Sequence, residues 1–168
     1  MILDILMILE KGIWFGFAAL GFAVLFNVPH RTLVIVWLLG AAGGLTKLLL
    51  MYAGAGIIFS TFAGASLIGI LSVSAAYNKD APPLVFSIPS VIPMVPGAFA
   101  YRMMLGLIEL ASSTNSNDAY YKTLSETTGN GLKTMFILIA LAAGVSIPML
   151  ISRKESIKKI KHNPDMNS

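Results

Sequence analysis

The sequence predicts an all-α fold: a polytopic integral membrane helical bundle of about five transmembrane helices, the fourth broken at Pro89–Gly97. Three observations carry this reading. Mean hydropathy is +0.78, and only 12% of residues are charged, about half the usual share for a soluble domain. The apolar residues form long runs without period-2 alternation, which speaks against a β-barrel. The fourth run contains "IPSVIPMVPG", with Pro89, Pro93 and Pro96 inside it.

The first run, Ile2 to Phe26, is long enough to span but is interrupted by Glu10 and Lys11. "FNVPHR" follows, where Asn27 suits a helix end and Pro29 the first turn of the next helix. Thr32 to Tyr52 is the second run, with Lys47 near its far end, and Gly54 to Tyr77 is the third. "NKDAPP" reads as a polar turn, and Leu84 to Leu110 as the fourth run. Ala111 to Asn130 reads as the one substantial polar loop, Gly131 to Ile151 as the fifth run, and the basic tail beyond is expected to fray. The chain is expected to divide into a transmembrane domain, 1–152, and a basic tail, 153–168.

Lys and Arg counts set the orientation. With five spans, Arg31, Lys79 and the tail's Arg153, Lys154, Lys158, Lys159 and Lys161 fall on one side, against Lys47, Lys122 and Lys133 on the other. The tail is therefore expected in the cytoplasm. Four spans with a re-entrant fourth run is the rival arrangement. Small residues recur four apart at Gly12 and Gly16, Gly40 and Gly44, and Gly56, Ser60 and Gly64. Such faces let helices approach closely, within the bundle or against a second polypeptide, homo-oligomerisation included.

The broken run carries the candidate site. On a helix, Pro89, Pro93 and Pro96 share a face, and each removes a hydrogen bond to a carbonyl four residues earlier. The carbonyls of Val85, Pro89 and Ile92 are expected to be freed, and lipid cannot satisfy them. Pro96 reads as the first position of a new helix. The amides of Gly97, Ala98 and Phe99 then face a helix N-terminus that suits a carboxylate. Broken helices of this kind build substrate sites in secondary transporters, although a proline kink that only shapes the helix has the same signature. Arg102 is a candidate carboxylate ligand. It also fits two plainer roles, snorkelling to an interface or pairing with Glu109. Glu10 and Glu109 are candidate proton-coupling groups, Glu10 equally an exposed interfacial residue beside Lys11.

No metal-ligand spacing, nucleophile with its base, phosphate loop or cysteine is found, so nothing argues for an enzyme, a metal or a cofactor. Five of the twelve basic residues lie in the final sixteen positions, so the net charge of +4 is not a nucleic-acid signature. A cleaved signal peptide is not expected, since Asp4 and Glu10 stand where a basic n-region would.

Four segments, "GFAVLFNVPHRTL" (Gly21 to Leu33), "STFAGASLIGILS" (Ser60 to Ser72), "VIPMVPGAFAYRMM" (Val91 to Met104) and "SIPMLISRK" (Ser146 to Lys154), resemble the threonine/serine exporter family. The likeness is to its small-subunit type, similar to the C-terminal half of full-length exporters. The resemblance implies residence in the prokaryotic cytoplasmic (inner) membrane and export of small carboxylates, either threonine and serine or a dicarboxylate such as succinate, driven by the proton motive force. It also implies a larger membrane subunit, resembling the N-terminal half of those exporters, as partner. The family's marked segment falls on Pro93, Pro96, Gly97 and Tyr101. The alternative is a scaffold subunit that stabilises a membrane complex without transporting.

Overall fold

The structure is a computed structural model that describes residues 2–112 and 118–162, with side chains over 6–112 and 118–151. Among these residues the chain is helical with no strand: α1 (Ile2–Leu25), α2 (Leu33–Tyr52), α3 (Ile57–Lys79), α4 (Pro83–Val91), α5 (Gly97–Ser112) and α6 (Asp118–His162). Short 3-10 turns occupy His30–Thr32 and Ile92–Met94. The helix ends follow from local chemistry. Asn27 adopts φ 54°, its amide donates to the Val24 carbonyl (3.0 Å), and the Val28 amide donates to Ala23 (2.9 Å). This left-handed closure satisfies the last carbonyls of α1. Gly54, at φ 89°, closes α2 in the same way, and Pro83 starts α4 where its missing N–H costs nothing.

α1 and α2 pack antiparallel through their glycines: a Cβ on Gly40 would strike Ala19, and one on Gly44 would strike Phe15. Gly43 and Gly64 bring α2 against α3. Most of the small-residue faces are thus consumed within the chain, as close packing in lipid requires. Gly56 is an exception, with open space where its Cβ would stand.

α3 and α6 run parallel. Gly56, Ile58, Phe59 and Phe62 line one cavity with Phe136, Ile139, Ala140 and Ala143. Further on, Gly144 meets Ala65, and Gly69 meets Val145 and Pro148. The chain between α3 and α6 must therefore return once through the bundle. α4 and α5 make that return as a pair bent by 54°, which joins the four helices that are long and apolar enough to span. A re-entrant fourth run would have left α6 antiparallel to α3.

Two features depart from the sequence reading. Within the stretch 111–130, expected to be a loop, 118–130 are helical: α6 begins at Asp118, and its first turns pack against α5 through Gly106 and Thr127. The tail expected to fray continues α6 as far as His162. α4 sits centrally against α1, α2 and α3, with Phe86 fully buried among Ala19, Ala23, Val36 and Ala75. α5 leaves this core and buries only Gly106.

Candidate functional site

The prolines place the break. Pro89 is buried in α4, where Ser90 Oγ donates to the Val36 carbonyl of α2 (3.1 Å) and to Phe86 (2.7 Å). This bond across the helix interface fixes α4 up to its last turn. Val95 then turns extended (φ −58°, ψ 135°), the conformation that a following proline imposes. The Val95 amide donates to the Ile92 carbonyl (3.0 Å), so that carbonyl, expected to be free, is closed within the turn. Pro96 is not the first helical residue as expected. It precedes α5, and its carbonyl accepts the Ala100 amide (3.1 Å). The Gly97 amide is taken by Val95 (2.9 Å). Ala98 and Phe99 keep first-turn amides without an intrahelical acceptor. A Cβ on Gly97 would meet nothing within 4 Å.

Three lysines from three other helices border this segment. Lys47 of α2 is half-buried, and its Nζ donates to the Met94 carbonyl at 3.3 Å. Lys11 of α1 lines a cavity of about 290 Å³ with Trp14, Phe15, Ala18 and Pro93. Lys133 of α6 stands over the Phe99 ring, 5.6 Å from its centroid, within cation–π range. No carboxylate lines the Lys11 cavity. The break is thus a polar, positively charged interruption of an apolar bundle, chemically suited to an anion.

The structure brings Pro93, Pro96, Gly97, Ala98 and Phe99 together at the break. Tyr101 is 65% exposed. Arg102 is exposed and faces α6, where it lines a cleft of about 520 Å³ with Ser125, Glu126, Asn130 and Lys133. Lys133 therefore borders both this cleft and Phe99. Glu109 lines a smaller adjoining cavity with Arg102 and accepts a hydrogen bond from Thr123 Oγ1 (3.2 Å). Glu10 is exposed on α1, and its neighbour Lys11 is the residue beside the break. The sequence reading missed Lys11, Lys47 and Lys133 as site residues. It counted Lys47 and Lys133 as flanking charges, although a lysine inside an apolar run is itself a signal.

A family profile described as "Threonine/Serine exporter, ThrE" matches residues 11–151, which include the break and the three lysines beside it. A protein of Haemophilus influenzae, described as "Uncharacterized protein", is 33% identical over 133 residues, covering 79% of this chain and 43% of that protein. The chain thus spans less than half the length of this relative. No solved structure matches.

Proposed function

Because this chain belongs to the threonine/serine exporter family, we propose that it is a membrane subunit of a secondary exporter for small carboxylates. The solute is threonine and serine, or a dicarboxylate such as succinate. The observation that carries this reading is the α4–α5 break, with lysines of α1, α2 and α6 against Pro93, Met94 and Phe99. A small carboxylate is the anion that such a site admits within a membrane, held by ammonium groups and by the first amides of α5. Arg102 and Lys133 extend the positive lining along the α5–α6 cleft, and Glu126 and Asn130 there offer acceptors for an ammonium group. Glu109, beside Arg102, is better placed than Glu10 to couple proton movement to the solute. The 54° bend gives the exporter a joint about which α5, with the first turns of α6 that pack on it, moves against the core.

The partner is a larger membrane subunit that resembles the N-terminal half of full-length exporters. The likeness of the four quoted segments to the small-subunit type supports it. The resemblance implies the cytoplasmic membrane, and Lys and Arg counts favour the tail inside. The test is efflux of radiolabelled threonine, serine and succinate from proteoliposomes with both subunits or with this chain alone. Efflux of one of them with both subunits, and none with the chain alone, is expected. Full-rate efflux from the chain alone overturns the partner, and no efflux of any probe from the complex overturns the exporter.

A further inference from the structure

We propose that Lys47 is the residue that binds the solute's carboxylate, and that its bond to Met94 is a latch which the arriving carboxylate releases. This rests on the exporter reading above and names the cation at its site.

Lys47 lies within the apolar α2, a costly position for an ammonium group unless it has a function or a strong partner. The ammonium has three donors. Among the described residues its hydrogen-bond acceptor is one neutral carbonyl, that of Met94, at 3.3 Å. That carbonyl is open to a side chain because the extended Val95 ends the turn. A carbonyl is a weaker acceptor for an ammonium group than a carboxylate is. Lys47 is thus held, with donors to spare, at the break between α4 and α5.

The acceptor also matters. The Met94 side chain is 1% exposed and packs among Ala65, Ile68, Ile137 and Leu141 of α3 and α6. One residue of the joint is therefore gripped twice, by its side chain from α3 and α6 and by its carbonyl from α2. When Lys47 turns to a carboxylate, the second grip is lost exactly where α4 and α5 are bent. Solute binding then loosens the joint, which couples occupancy to movement.

The experiment uses the two-subunit complex and the variants Lys47→Gln, Lys47→Arg and Lys47→Met. Glutamine can still donate to the Met94 carbonyl but carries no charge. Lys47→Gln is expected to leave the complex assembled and to raise the efflux KM roughly ten- to a hundred-fold. Lys47→Arg should retain most of the affinity, and Lys47→Met should lose it. If Lys47 only caps the carbonyl, Gln restores the wild-type KM, and that result overturns the proposal.

A second readout needs no transport and is made with Lys47 and with Lys47→Gln. The chain has no cysteine, and Val95 is 44% exposed, so Val95→Cys provides a single thiol beside the latch. Threonine or succinate should protect it from alkylation, and threoninamide or succinamide should not. Equal protection by acid and amide, or none by either acid, overturns the role of Lys47. Protection by the acid alone that Lys47→Gln abolishes, with no efflux of any probe, leaves Lys47 as a carboxylate ligand and removes only the exporter; protection that survives Lys47→Gln overturns the role of Lys47.

Discussion

Gly64 of α3 lies so close to Gly43 of α2 that a Cβ on Gly64 would fall 2.6 Å from the Gly43 carbonyl oxygen and 3.3 Å from the Met94 sulfur. Three elements meet at this point, and the last of them is the joint between α4 and α5. The contact is backbone to side-chain position, so the obstructing atom is not the flexible end of a side chain.

Gly64→Val is therefore expected to force α2 and α3 apart and to displace Met94. Overpacking of this kind costs about 1–3 kcal/mol even where side chains can adjust. A lower melting temperature of the purified complex, or less protein in the membrane, is the expected result. A wild-type melting temperature would show that the α2–α3 contact is looser than the structure has it.

Gly97→Leu should behave in the opposite way. Nothing stands within 4 Å of a Cβ there, so this chain has room for the side chain. If that space is where the solute passes, export falls to background while the subunit still accumulates. Wild-type efflux kinetics would remove the mouth of α5 from the path.

The parallel course of α3 and α6 predicts that Asn78 and Ser112 lie on opposite sides of the membrane. Cysteines introduced singly at these positions can be probed on intact cells with an impermeant thiol reagent. Labelling of Ser112→Cys but not Asn78→Cys is expected with the tail inside. Labelling of both, or of neither until the cells are opened, would mean that α4 and α5 turn back without crossing.

Arg102→Gln should weaken export roughly ten- to a hundred-fold, the value of about 1.5–3 kcal/mol for a hydrogen bond to a charged group. Arg102→Lys should restore only part of it, because lysine cannot make the planar two-point contact. Equal export by the arginine and lysine proteins would indicate that the side chain only snorkels from the α5–α6 cleft.

What the sequence determined by itself was local. Run length and apolarity specified spanning helices, because lipid allows few other ways to pair a backbone. Asn27 and Pro29 marked one turn, and Pro89, Pro93, Pro96 and Gly97 marked the break, because left-handed φ values and missing N–H groups act on their own neighbours. The polar stretch 111–130 misled for the same reason. Its Ser, Thr and Asn residues favour turns in isolation, yet from Asp118 they form helix against α5, where Thr127 fits under Gly106. Tertiary structure alone decided that α6 runs with α3, and hence that the broken pair crosses. It also decided which cations reach the break. Lys47 and Met94 are 47 residues apart, and only the packing of α2 against α3 through Gly43 and Gly64, with Met94 seated beside Gly64, brings that ammonium group to that carbonyl.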